Sequence, residues 1–322
     1  MHMKTKNTLI TAAAMFATVG LYAAPQIYIE TVLVDDKGNA TDTRTTAQGG
    51  TPGLGAVSYN YYIGTYEVTA GQYTKFLNAM ATDKSAASYI TSLYNTSMAS
   101  DPLGCGIVRT DNGNGTYSYT VANGNVPVNF VSVYDAMRFC NWVAFGTTET
   151  GVYNLNGVNS IVARDMTAMA DGGVAIASLN EWYKAAFYNG STNSYTTYAG
   201  SSTAPVAGVD ANFAQAEPYS GIVDVGTYDH FASYYGTFDQ NGNAWEWTET
   251  VASGSNVYLR GGGYTTMEAN LRASHSVSNV ATVENAAYGF RVSSLEPIPE
   301  PSTYAAIFGA LALAVSAYRR RK

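Results

Sequence analysis

The sequence predicts a loop-rich α+β fold in a single domain. Regular apolar patterning is confined to a few short segments, the connections between them are long and rich in Gly, Asn, Ser and Tyr, and no internal repeat is evident. Of 322 residues, 46% are hydrophobic but only 13% are charged, about half the ~25% of an average soluble domain. Polarity comes instead from Thr, Ser, Asn, 31 Gly and 26 Tyr. There is ample apolar and aromatic surface for a core, which excludes a disordered chain. A formal charge of -7 argues against a basic nucleic-acid binder.

The N-terminus reads as a secretory signal over residues 1–24. Lys4 and Lys6 precede an uncharged apolar run from Leu9 to Leu21, and the small Ala23 and Ala24 stand before Pro25. The alternative is a buried N-terminal helix. Residues 25–56 follow as an N-terminal strand and linker. Ile27 to Val34 is apolar and β-branched, and Asp35-Asp36-Lys37-Gly38-Asn39 breaks it. Tyr59 to Val68 alternates like a strand. Thr69 is placed to cap a helix through Tyr73, Phe76, Leu77 and Met80. Residues 95–126 read as irregular. Val133 to Ala144 patterns as an amphipathic helix with Val133, Met137, Cys140 and Trp142 inward. Leu179 to Tyr188 patterns as another, with Asn180 as its N-cap. Short strands follow at Val257–Leu259 and Tyr288–Val292.

The C-terminus carries Pro299-Glu300-Pro301 in a linker over 295–303. An uncharged stretch from Tyr304 to Tyr318 and the cluster Arg319-Arg320-Arg321-Lys322 complete a segment over 304–322. About 15 helical residues span about 22 Å, short of a hydrocarbon core of about 30 Å unless flanking residues snorkel or the bilayer thins. The order resembles the PEP-CTERM sorting signal of Gram-negative bacteria. That resemblance implies transient inner-membrane anchoring, recognition by an exosortase, cleavage near Pro299–Pro301, and release to the cell surface or extracellular matrix. A plain C-terminal anchor is the alternative. Without both ends, 11 basic and 24 acidic residues remain, a charge of about -13. Such a domain disfavours nucleic acid and anionic membrane and is compatible with divalent cations.

Several motifs in residues 57–294 fall in the order of one family. They are Tyr62-Ile63-Gly64 with Glu67-Val68-Thr69, Pro127-Val128-Asn129, Cys140-Asn141-Trp142, and Leu179-Asn180-Glu181-Trp182. Then come Asn241-Gly242-Asn243-Ala244-Trp245-Glu246-Trp247, Leu259-Arg260-Gly261-Gly262-Gly263-Tyr264 and Tyr288-Gly289-Phe290-Arg291. Together they resemble the formylglycine-generating enzyme, or sulfatase-modifying factor, domain. The resemblance implies that family's compact fold, distantly like C-type lectin domains, with Gly146 to Ala177 as an insertion.

The family's enzymes oxidise a cysteine to formylglycine with Cu(I) held by two thiolates, soft ligands that hard oxygens do not replace. Here Gly263 stands in place of the family's Ser. The positions of the two cysteines, counted from Arg260, fall on Thr266 and Leu271, and no cysteine follows Cys140. The resemblance therefore argues against copper, a catalytic residue set and formylglycine synthesis. The iron-dependent sulfoxide synthases of the same fold need three His ligands. This chain has His2, His230 and His275 only, with no His-x-x-x-His spacing.

A family calcium site does match. Asp239, Gly242, Ala244 and Glu246 supply a side chain, two carbonyls and a carboxylate, the oxygen set a hard cation takes. The alternative reading makes Asp239 and Glu246 plain turn and surface carboxylates. A second family site maps with shortened spacing to Asn212, Phe213, Glu217 and Tyr219. Cys105 and Cys140 form either a disulfide or two buried thiols. Glu181 and Trp182 read as structural. The expected function is that of an exported, non-catalytic, calcium-stabilised scaffold that binds a carbohydrate or matrix ligand. The alternative is an oxidoreductase of the formylglycine-generating type using another site.

Overall fold

The computed structural model describes residues 27–81, 92–113, 115–216 and 221–298. The signal over 1–24, the Pro-Glu-Pro motif, the apolar stretch and basic tail over 304–322, and Glu217 and Tyr219 lie outside the described residues. Among the described residues, no helix is long and apolar enough to cross a membrane.

The elements in chain order are β1 (Thr31–Val34), β2 (Tyr61–Gly64), α1 (Ala70–Met80), α2 (Ser97–Ser100), β3 (Ile107–Asp111) and β4 (Tyr117–Val121). There follow α3 (Val133–Phe145), α4 (Met166–Ala170), β5 (Val174–Ile176), α5 (Leu179–Phe187), β6 (Tyr188–Asn189) and β7 (Ser194–Tyr195). The last five are β8 (Trp245–Ser253), β9 (Asn256–Arg260), β10 (Val277–Val280), β11 (Tyr288–Phe290) and β12 (Val292–Ser294). One sheet runs β1-β2-β12-β5 and a second β10-β9-β8-β11. The expected α+β class is what the chain adopts.

Thr69 caps α1 as the sequence predicts. Its hydroxyl accepts from Gln72 N at 3.2 Å, and Gln72 Oε1 accepts from Thr69 N at 2.9 Å. The cap of α5 is a correction: Ser178, not Asn180, is the N-cap. Ser178 Oγ accepts from Glu181 N, and Glu181 Oε2 accepts from Ser178 N at 2.8 Å. Asn180 lies within the helix, and its Oδ1 takes the amide of Gly55 at 3.0 Å.

Helix α3 is not amphipathic in its surroundings, because every residue from Val133 to Ala144 is buried. The chain after it wraps its polar side. Arg138 pairs with Glu149 at 2.7 Å. Asn141 donates to the carbonyls of Thr148 and Tyr153 and accepts from Tyr153 N. The expected insertion thus completes the burial of a helix and supplies β5 to the first sheet.

Residues 95–126 are more regular than expected. They hold α2 and the β3–β4 hairpin, paired from Ile107↔Val121 to Asp111↔Tyr117. Its Thr, Ser and Tyr residues blur the apolar alternation that marks a strand. The single strand expected over Tyr288–Val292 is two. Residues 288–290 pair in parallel with β8, whereas 292–294 lie antiparallel between β2 and β5. Only Arg291 separates them. Cys105 and Cys140 are both buried, free thiols.

Candidate functional site

The segment from Phe238 to Glu246 enters β8 through a loop that only certain residues accept. Asp239 and Asn243 hold left-handed backbones, φ 63° and 60°. Gly242 has φ 108°, and a Cβ there would lie 2.2 Å from the carbonyl oxygen of Asn212. A side chain is therefore excluded. Asn243 N donates to that same oxygen at 2.7 Å. Asn243 Oδ1 accepts from Asn212 Nδ2 and Val223 N. The two stretches expected to hold cations, Asn212–Phe213 and Asp239–Glu246, are therefore laced together.

At the base of this loop, Arg291 spends all five of its N–H groups. Nε and one terminal nitrogen grip Glu246 at 2.9 and 2.8 Å, and the remaining donors go to the carbonyls of Gly64, Thr65 and Phe238. Glu246 Oε2 also accepts from Trp182 Nε1 at 2.8 Å. Glu67 is buried beside them. Its Oε1 takes Asn243 Nδ2 at 3.3 Å, while its Oε2 stays 4.0 Å from Arg291 with no hydrogen bond. Burial, with Asp239 and Glu246 close by, pushes the Glu67 carboxyl well above its ordinary range. Asp239 accepts from Gly226 N at 2.7 Å. Its burial outweighs that bond and the pull of Arg291, lifting it to about 6.

Three carboxylates thus share one guanidinium. The donor set is all oxygen, one buried oxygen is unpartnered, and Glu246 Oε1 keeps a lone pair beyond its single bond to Arg291. These residues fit a hard divalent cation with Asp239 and Glu246 as side-chain ligands. Among the described residues no three His, Cys, Asp or Glu side chains converge as a metal set by themselves. A cation held by Asp239 and Glu246 would need further oxygens, the role expected of the Gly242 and Ala244 carbonyls.

The positions matched to the copper cysteines also meet. Both Thr266 Oγ1 and Leu271 Cδ2 would lie within 3 Å of a Cβ on Gly262. Thr266 Oγ1 accepts from Gly263 N and donates to Gly263 O, and Leu271 is buried beside Tyr198, Ala211 and Phe213. A hydroxyl and an isobutyl group occupy this place. His230 pairs with Asp210 at 3.2 Å, and His275 stacks near Trp245, so neither is a convergent metal ligand. Glu181 is consumed by Arg164 at 2.9 Å and by its capping role, in keeping with a structural part.

Glu67 and Arg291 stand in the family motifs without a role that local sequence assigns. A charged residue inside an apolar Gly-Phe-Arg-Val strand was the available signal. Such a residue requires a buried counter-charge, but the partner's identity depends on the sheet topology.

Two four-stranded sheets, with a glycine-rich loop feeding the strand that carries the buried carboxylate, define the class. A model described as the sulfatase-modifying factor enzyme 1-like domain matches residues 24–294, and the chain belongs to that family. The crystal structure of CarF has a TM-score of 0.51 at 22% identity, covering 83% of this chain and 98% of that one. Variable protein 1 of Treponema denticola has a TM-score of 0.53 at 18% identity, covering 85% of this chain and 94% of that one. At these identities the likeness is one of fold. No curated protein matches the chain.

Proposed function

We propose that this protein is an exported, non-catalytic member of its family, a calcium-stabilised scaffold that binds a ligand through its loops. One observation carries the reading. The paired positions over Gly262 hold Thr266 and Leu271, which offer copper no thiolate. The two cysteines of the chain do not substitute. Both are buried, and burial raises their thiols above the ordinary value, most of all at Cys140, so the ligating thiolate is disfavoured. The Asp239–Glu246 loop supports calcium as the resident ion, and the Tyr-, Asn- and Gly-rich loops supply adaptable contact surface.

Copper titration with an oxygen electrode and a cysteine-containing peptide tests the non-catalytic part. The expected result is no oxygen uptake. Copper-dependent turnover would replace this reading with that of an oxidoreductase using another site. Export and sorting rest on the two terminal segments, with an exosortase as the processing partner. The intact mass of surface-extracted protein should lack both residues 1–24 and the tail after Pro299. A mass that retains Arg319–Lys322 would make the tail an anchor.

A further inference from the structure

A cleft of about 210 Å³ lies between the end of α5 and the loop at 232–234, and its lining shares no residue with Gly262 or the Asp239–Glu246 segment. None of the residues lining it is charged. Its inner wall is the buried Phe187 and Tyr188, and its outer wall is Tyr234, 49% exposed. The volume is below the roughly 300–1,000 Å³ of drug-sized sites, so the cleft admits one ring and not an extended ligand.

The outer wall is held in place. Gly236 N donates to Ser233 O at 3.0 Å and Ser233 N to Thr237 O at 2.8 Å, closing a turn that carries Tyr234. The Tyr234 ring meets Tyr235 edge-on at 5.6 Å, and Tyr235 Oη donates to Asp36 Oδ2 at 3.1 Å. An aromatic face presented to solvent on such a turn has little entropy left to lose on binding.

The polar groups are set as well. Asn189 Oδ1 accepts from Ser191 N and Ser191 Oγ at 3.0 and 2.7 Å, and among the described residues Nδ2 has no acceptor. Thr196 Oγ1 spends its proton on the carbonyls of Phe187 or Tyr198 and keeps its lone pairs. The Tyr234 hydroxyl has no protein partner among the described residues. The cleft therefore offers an aromatic face, a two-proton donor, an acceptor and an amphoteric hydroxyl, with no charge.

We propose that this cleft is a subsite for one neutral pyranose of a glycan. The apolar C–H face of the sugar lies on Tyr234, with its hydroxyls on Asn189 Nδ2 and Thr196 Oγ1. No charged side chain lines the cleft to meet an ionic ligand or a metal ion; the nearest charges, Lys184 beside the Tyr188 ring and Asp36 on the Tyr235 hydroxyl, lie behind the aromatic wall. A large apolar ligand would strand the Asn189 amide, at the cost of an unmade hydrogen bond. The proposal rests on the ligand-binding reading above, but the two fail separately. Copper turnover would end the non-catalytic reading without touching this cleft.

The test is a glycan array of neutral and acidic glycans, followed by saturation-transfer NMR of the purified chain with the methyl glycosides that score. Neutral glycans should bind with weak, millimolar-range affinity for a single residue. Tyr234→Ala should weaken binding about tenfold, near the upper end of what one aromatic contact supplies. Tyr234→Phe should retain most of it, and Asn189→Ala should lose severalfold. Met267→Ala, at an exposed position that does not line the cleft, should change nothing. Melting curves confirm that each variant is folded. A clean array, binding of acidic glycans only, or neutral-sugar binding that is indifferent to both Tyr234→Ala and Asn189→Ala would each overturn the proposal.

Discussion

Two buried ionic clusters of this domain, one around Arg164 and one around Arg291, differ in how their carboxylates are compensated. Around Arg164, both oxygens of Glu181 and Oε2 of Glu249 accept hydrogen bonds, while Glu249 Oε1 faces Arg164 Nε as an ion pair without a hydrogen bond. Arg164 bonds both oxygens of Glu181 at 2.9 Å and pairs with Glu249 at 2.6 Å. Tyr59, Ser178, Ser293 and Tyr153 supply the other hydrogen bonds. Burial alone would raise Glu181, but Arg164 and the capping bonds outweigh it and hold Glu181 below its ordinary range. Around Arg291 there are three carboxylates, and Glu67 keeps an orphaned oxygen. Burial wins at Glu67 and Asp239, as it also does at Glu249 in the first cluster, where Glu181 alone is held low. Charged residues in a core therefore do not by themselves mark a site. The proposed cation site rests on the larger surplus around Arg291, three carboxylates against two around Arg164, and on the unfilled acceptor of Glu67.

The sharpest way to break the contrast is to remove each arginine. Arg291→Met and Arg164→Met should each cost about 3–5 kcal/mol, because each leaves buried carboxylates uncompensated. Urea denaturation reads the loss. Millimolar calcium should restore part of the Arg291→Met loss and none of the Arg164→Met loss. Equal rescue of the two, or rescue of neither, would erase the distinction.

Calcium on the unmodified protein comes next in size. An ion bound only by the folded state adds about 2.7 kcal/mol at a hundredfold excess over Kd. At roughly 2–4 °C per kcal/mol, the melting temperature should rise by several degrees and fall back with chelator. Glu246→Gln should abolish most of the rise, and Asp239→Asn should reduce it less. Magnesium should do less than calcium, because it demands a tighter octahedron. Glu67→Gln should raise the melting temperature without calcium while shrinking the gain with it. A melting temperature indifferent to calcium and to chelator would make Asp239 and Glu246 ordinary structural carboxylates.

The smallest effect concerns a carboxylate in neither cluster. Burial raises Glu284 to about 7, with Asp135 adding to the shift and the 2.6 Å bond from Asn95 Nδ2 opposing it. The folded state then holds this proton more tightly than the unfolded chain does. Stability from Glu284 is present below about pH 4.5 and declines as the pH rises towards about 7. Urea midpoints across that range should show a fall that Glu284→Gln lessens, with Asp239 and Glu67 supplying the remainder. An unchanged slope in the variant would assign the fall to other groups.

Much of this architecture was legible in the residues. The helical spacing of Tyr73, Phe76, Leu77 and Met80 and the cap at Thr69 are local properties, and α1 forms where they place it. Ser178 was legible too, since Ser-x-x-Glu is a capping signature, but the adjacent Asn180 competed for the role. The β3–β4 hairpin escaped because β4 alternates Tyr with Ser and Thr, and β3, Ile-Val-Arg-Thr-Asp, lacks a clean apolar alternation. The candidate site divides in the same way. Asp239, Gly242, Ala244 and Glu246 sit in one short segment and can be read together. Glu67 and Arg291 join them only after β2, β8 and β12 are arranged, and no local pattern encodes that meeting.

The one-residue step at Arg291 also governs how the chain reaches this state. β11 is an edge of the second sheet, whereas β12 sits in the interior of the first, between β2 and β5. Until residue 294 has been made, β2 and β5 have nothing between them, Glu246 has no guanidinium, and three carboxylates would have to be buried alone. Most of the pairing that stabilises the domain joins residues distant in the chain, a topology associated with slow folding. A growing chain has α1, the β3–β4 hairpin and the β8–β9 hairpin as its local structures, and it lacks the strand that joins them. The residues from Tyr288 to Ser294 thus complete both the first sheet and the charge balance at Glu246, and a chain lacking them should fail to reach this fold.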